Sequence, residues 1–182
     1  MGPKLILVDG YNVIRNMRGL AFADRASLAT GRESLLAQVR ARFRQTPHRV
    51  IVVFDGDGPR ETRQALAGMS RGQVVFTRHG ETADDVTRRL AAEAGSTAAP
   101  VVVCTNDLAL RSETGALGAG GASVPELERA LNAAPKHLER RVRHQQAVRR
   151  QWEDDEDEVA RPRKGNPRRA PKRRRGRTEP QF

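Results

Sequence analysis

The chain has 182 residues, 37% of them hydrophobic and 4% aromatic, and a formal net charge of +11. A single cysteine excludes an internal disulfide framework, and no apolar run approaches the ~20 residues that a membrane span needs. The length suits one domain of ordinary size plus a tail, and the missing charged-then-apolar leader points to a cytoplasmic protein with no membrane partner.

Lys4–Val8 is a nearly continuous aliphatic run, which predicts a strand buried on both faces. It ends on Asp9-Gly10-Tyr11-Asn12, a carboxylate and polar residues that a purely structural strand does not need. Arg25–Arg44 places Leu28, Leu35, Leu36, Val39 and Phe43 near helical spacing. Val50–Phe54 is a second strand, ending on Asp55, and Gln73–Thr77 is a third. Thr82–Ala94 is predicted helical from Val86, Leu90 and Ala94, with Asp84 and Asp85 in its first turn. Pro100–Thr105 is the fourth strand and runs into Asn106-Asp107. A helix over Asp107–Leu117 follows, with Asn106 as its cap. Gly118–Gly121 reads as a flexible turn, and Pro125–Leu131 as a helix opening on proline.

This alternation predicts an α/β fold of three layers, α/β/α, with a mostly parallel central sheet. The domain is expected over 1–135. Residues 136–159 are charged, lack Gly and Pro, and are expected to extend as a helix with an acidic block at Glu153–Glu158. Residues 160–182 are rich in Arg, Lys and Pro, and disorder is expected there. Residues 136–182 hold 16 basic against 8 acidic side chains, so most of the positive excess lies in this part. Such an excess suits phosphate polyanions, nucleic acid above all, although it also serves solubility.

Parallel sheets place their sites outside the carboxyl ends of the strands. Asp9, Asp55 and Asp107 all fall at or just past such an end, so they can converge on one edge, with Asp84 and Asp85 as further candidates. Each has a plain alternative. An acidic first turn suits any helix, Asp55 can open a turn with Gly56, and Asn12 can cap a helix. Jointly, carboxylates at close range repel one another, so some must protonate or a cation must bind. Hard divalent cations take oxygen ligands, and Mg²⁺ does so through one or two carboxylates while keeping waters. Two ions ~3.5–4 Å apart can clamp both oxygens of a phosphodiester exchange. Asn12 and Asn106 can add neutral donors beside the cation or the substrate. Phosphate-loop, dinucleotide-binding, zinc-cluster and serine-elbow patterns are absent. His79 reads as a loop residue and Cys104 as a buried strand residue.

The segments LILVDGYNVIRN, VVFDGDG, ETADDVTRRL and VVVCTNDLALR, in this order, resemble the YacP-like branch of the NYN domains, within the PIN-like nuclease superfamily. The similarity spans about residues 4–132. It implies a PIN-like fold and a divalent-metal endoribonuclease that hydrolyses single-stranded RNA. It also implies mRNA and the ribosome as partners, since one branch of the family is described as cleaving mRNA on ribosomes. Position by position it implies Asp9, Asp84 and Asp107 as catalytic carboxylates. Asp9, Asp55, Asp84, Asp85 and Asp107 would serve as ligands of Mg²⁺ or Mn²⁺, with Asn12 and Asn106 in support. Hydrolysis by water leaves a 3′-hydroxyl and a 5′-phosphate. A non-catalytic RNA- or ribosome-binding protein of the same fold is the alternative, and the carboxylates alone also admit a DNA nuclease.

Overall fold

Successive residues of a strand point to opposite faces of its sheet, and in the first aliphatic run both faces are covered. Leu5 and Leu7 join Ile51, Val53, Val75 and Val103 in one apolar cluster. Ile6 and Val8 join Val50, Val52 and Phe54 in a second one on the other side. Two-sided burial explains why these strands read as unbroken apolar runs. The structure, a computed structural model, describes residues 2–20, 27–95 and 99–133. The expected helical extension over 136–159 and the expected disorder over 160–182 lie outside the described residues.

The elements in chain order are β1 (Leu5–Asp9), α1 (Gly10–Asn16), α2 (Leu28–Phe43), β2 (Arg49–Gly58), β3 (Thr62–Ala65), β4 (Gly72–Arg78), α3 (Ala83–Gly95), β5 (Val101–Cys104), α4 (Leu108–Ala116), β6 (Gly120–Ala122) and α5 (Val124–Asn132). The six strands form one sheet in the order β3-β4-β2-β1-β5-β6. All neighbours pair in parallel except β3, which runs antiparallel to β4 at the edge. Helices α1, α2 and α5 cover one face through Val13, Ile14, Leu35, Val39 and Leu127. On the other face α3 packs through Ala83, Val86, Leu90 and Ala91. The α/β/α layering and mostly parallel sheet agree with the expectation. None of the described helices is long and apolar enough to cross a membrane.

Four elements depart from it. α1 follows β1 with no intervening residue, because the Asp9 carboxylate accepts the Asn12 backbone N–H and so caps the helix. A seven-residue helix is too short to show a periodic stripe, so the sequence shows only its polar start. The polar strand Thr62–Ala65 is exposed along its whole length and carries no alternation. The expected flexible turn at 118–121 is partly strand: Gly120 and Gly121 pair with Val102 and Val103. Glycines give no side-chain signal for a strand. α4 is capped by Asp107 rather than Asn106, the Asp107 carboxylate accepting the N–H groups of Ala109 and Leu110.

The passage from β1 into α1 needs a glycine at position 10. A Cβ there would overlap the Phe54 ring and stand 2.8 Å from the Val53 carbonyl oxygen. Gly10→Ala should therefore destabilise the fold by about 1–3 kcal/mol, as overpacked cores do. Chemical denaturation of the two proteins measures the difference, and equal midpoints would contradict the tight packing described.

Candidate active site

Three strand-to-helix junctions and the end of β2 meet at the carboxyl edge of the sheet. β1 ends on Asp9, β2 carries Asp55 just past the buried Phe54, Asp84 stands in the first turn of α3, and Asp107 caps α4. Register explains the convergence. Asp9 lies level with Val53, and Val8 with Cys104, so the tips of β1, β2 and β5 lie side by side. Asp9, Asp55, Asp84 and Asp107 line one cleft of about 290 Å³, together with Tyr11, Asn12, Arg15, Asn16, Thr82 and Ala83.

The four acids differ in setting. Asp9 is 6% exposed. Its Oδ1 accepts the Asn12 N–H at 3.3 Å and its Oδ2 accepts the Thr105 hydroxyl at 3.1 Å. Burial nonetheless pushes its pKa up to about 6, against two lowering hydrogen bonds, and the charges of Asp84 and Asp55 raise it further. Asp84 is also raised, first by burial and then by Asp107, with Arg88 pulling the other way. Asp55 accepts the Ala83 N–H at 2.8 Å and so ties the start of α3 to the tip of β2. Asp107 spends one carboxylate oxygen, Oδ1, on the α4 cap and leaves the other without a hydrogen bond within the described residues.

Asp85 does not line the cleft. Its carboxylate accepts the backbone N–H and the hydroxyl of Thr82 and pairs with Arg88 at 3.1 Å. Those hydrogen bonds hold its pKa down, so it acts as the acidic cap of α3. The two asparagines work mainly on the backbone. Asn12 Oδ1 accepts the Asn106 N–H at 2.9 Å, which links the tip of β1 to the tip of β5. Asn106 Oδ1 accepts the Val124 N–H at 2.9 Å and fixes the entry to α5. Of the two, Asn12 lines the cleft.

Sequence reading missed Thr105. It is fully buried, its hydroxyl donates to Asp9 and accepts the Asp107 N–H at 3.1 Å, and so it joins two of the acids. A threonine at a strand end is ordinary in a β sequence, so nothing but the register marks it. Arg15 and Tyr11 were also missed as cleft residues, because both belong to the unforeseen α1. Cys104 is buried as expected, with its thiol pushed up to about 12 by burial.

The all-oxygen donor set suits a hard divalent cation. Among the described residues no three Asp, Glu, His or Cys side chains are grouped closely enough to hold an ion by themselves. The arrangement therefore fits an ion that uses one or two carboxylates and fills its remaining positions with water, as Mg²⁺ does. Asp9 and Asp84, whose ionised forms are disfavoured without a counter-charge, are the residues that would gain most from it.

Comparison with known proteins agrees with this fold. Residues 6–161 match the family model of the YacP-like NYN domain. The chain belongs to the YacP-like NYN domain family. NYN domains are part of the PIN-like nuclease superfamily, and the expected resemblance holds. The chain is 32% identical over 139 residues to the protein YacP of Bacillus subtilis (strain 168), covering 76% of this chain and 81% of that protein. The crystal structure of Rae1 (YacP) from Bacillus subtilis superposes with a TM-score of 0.61 at 28% identity, over 86% of this chain and 89% of that one. A mutant form of the same protein gives 0.63 at 32% identity, over 78% and 82%. The NYN match extends past the described residues into the charged segment that begins at 136.

The raised pKa of Asp9 makes the fold's stability depend on pH. A carboxyl that titrates near 6 when folded, against 3.8 ordinarily, binds its proton more tightly in the folded chain. Its contribution is fully present below about pH 4 and is lost as pH rises through 6, for a total of about 3 kcal/mol. Asp9→Asn keeps the size and removes the charge. It should raise the melting temperature at pH 7.5 in EDTA and change it little at pH 4. Thermal unfolding at both values checks this, and a less stable variant at pH 7.5 would contradict it.

Proposed function

We propose that this NYN domain is a divalent-metal-dependent endoribonuclease that hydrolyses single-stranded RNA, mRNA included, in association with the ribosome. The observation that carries the reading is the cleft itself, in which four carboxylates from separate strand ends face one space and one of them is buried with its pKa raised to about 6. A protein that only bound RNA would lose affinity by turning four acids toward phosphates. The NYN family supports nuclease chemistry, and the basic excess of residues 136–182 supports a polyanionic partner.

In this reading Asp9 and Asp84 hold Mg²⁺ or Mn²⁺, with Asp107 and Asp55 completing the charge around it. The cation supplies Lewis acidity toward the phosphate and a more acidic water. Thr105 and the Asn12 N–H aim the Asp9 carboxylate, and the Asp107 oxygen that the helix cap leaves over would accept a proton from an attacking water. The Asn12–Asn106 hydrogen bond keeps the tips of β1 and β5 at a fixed separation.

The first test is cleavage of an unstructured RNA with Mg²⁺, Mn²⁺ or EDTA, run beside the same assay on purified ribosomes carrying mRNA. Cleavage should require a cation and leave 3′-hydroxyl and 5′-phosphate ends, and Asp9→Asn or Asp84→Asn should lower the rate by at least ~10²-fold while RNA binding persists. A 2′,3′-cyclic phosphate product would overturn the mechanism.

A second test reads the cation without turnover. Saturating Mn²⁺ should raise the melting temperature of the wild type at pH 7.5, by about 2.7 kcal/mol of stability at a hundred times the dissociation constant. The rise should vanish in Asp9→Asn. An equal rise in both proteins would place the cation elsewhere.

A further inference from the structure

Two arginines contact Tyr11, a lining residue of the carboxylate cleft, and neither forms an ion pair among the described residues. Arg15, on the exposed side of α1, lines the cleft and holds its guanidinium 5.8 Å from the centre of the Tyr11 ring. Arg32 comes from α2. Its Nη1 donates to the Tyr11 hydroxyl at 2.7 Å, and its guanidinium lies 5.8 Å from the centre of the Phe76 ring. By contrast, Arg63, Arg78, Arg88 and Arg89 of the same domain are all engaged by carboxylates. A guanidinium carries five donors in a rigid fork. One donor of Arg32 goes to the Tyr11 hydroxyl, and its place over the Phe76 ring restricts its rotation. A cation that lines a cleft of four acids and pairs with none of them is held there for something else.

We propose that Arg15 and Arg32 form a subsite for a backbone phosphate of the bound strand, next to the phosphate held over the acids. The ligand class is the phosphodiester, which guanidinium groups recognise in a charge-assisted, directional manner. Base stacking does not serve here. Tyr11 is 8% exposed, with its ring packed edge-on against Phe54 at 5.1 Å, and no described Phe, Tyr or Trp is exposed. The subsite therefore positions the strand and reads no base. It also offsets the repulsion that a polyanion meets on approaching Asp9, Asp55, Asp84 and Asp107. The proposal rests on the nuclease reading for the identity of its strand, RNA, but its affinity is measurable without any cleavage.

The experiment measures binding of the full-length chain to a short unstructured oligoribonucleotide in EDTA, by fluorescence anisotropy across a salt series. Arg15→Gln and Arg32→Gln should each weaken binding roughly five- to tenfold and lower the slope of log K against log salt by about 0.7. Arg71→Gln, on the opposite edge of the sheet, should change neither. The Arg15 side chain makes no hydrogen bond to the described residues, so its variant keeps the fold and the test stands if Arg32→Gln does not. Tyr11→Phe removes the acceptor that aims Arg32 and should cost about twofold. Unchanged affinity and slope in Arg15→Gln would overturn the subsite. The same losses on an oligodeoxyribonucleotide would support it, since the phosphate is common to both, and losses confined to RNA would overturn phosphate recognition in favour of a ribose contact. Losses in the variants together with no cleavage by the wild type in Mg²⁺ or Mn²⁺ would support the subsite and overturn the nuclease reading. Normal binding with impaired cleavage in both variants would do the reverse.

Discussion

Repulsion among like charges sets the terms for this protein. Parallel pairing of β1 with β2 and with β5 brings chain segments some fifty to a hundred residues apart to one edge, and each arrives with a carboxylate. A sheet stabilised mainly by burial of Leu, Val and Ile can tolerate that arrangement, because the two apolar faces below the edge supply the favourable free energy. The edge itself is electrostatically unfavourable until protons or a cation arrive. The site is thus a place where the fold holds an unfavourable charge distribution, one that the proposed function would require.

The hydrogen bonds around the acids divide the labour. Asp55, Asp85 and Asp107 each accept backbone N–H groups at the start of a helix, so they serve the fold while bearing charge. Asp9 also caps a helix, but it is the one drawn deepest into the protein, with Thr105 behind it. Capping and ligation are compatible because a carboxylate has two oxygens and more lone pairs than one cap consumes. The alternative of a helix-end acid, open for each residue in the sequence, is therefore true of several of them and does not compete with a place in the cleft.

Much of this was legible in the chain. The buried strands β1, β2 and β5 are largely aliphatic runs, and each leads into an acid that the cleft later uses. The convergence of Asp9, Asp55, Asp84 and Asp107 follows once those strands are taken as parallel. What escaped had no one-dimensional signature. Thr62–Ala65 is exposed on an edge and uniformly polar, and Gly120–Ala122 has almost no side chains to pattern. The short helix after Asp9 hides Tyr11 and Arg15, and Thr105 matters through a register that only the folded sheet defines. The asparagines were assigned to the cation or substrate, and both turn out to spend their carbonyl oxygens on backbone N–H groups of other segments.

The direct passage from β1 to α1 leaves no slack in the backbone at Asp9. That residue is at once the last of a central strand and the cap of the helix beside it, and Gly10 is wedged against Phe54 and Val53. No hinge separates the cup from its scaffold, so the carboxylate has nowhere to swing aside. Motion of the Asp9 backbone is therefore tied to motion of the middle of the sheet. In the proposed reading, an ion and a substrate would meet a spacing that the sheet has already set.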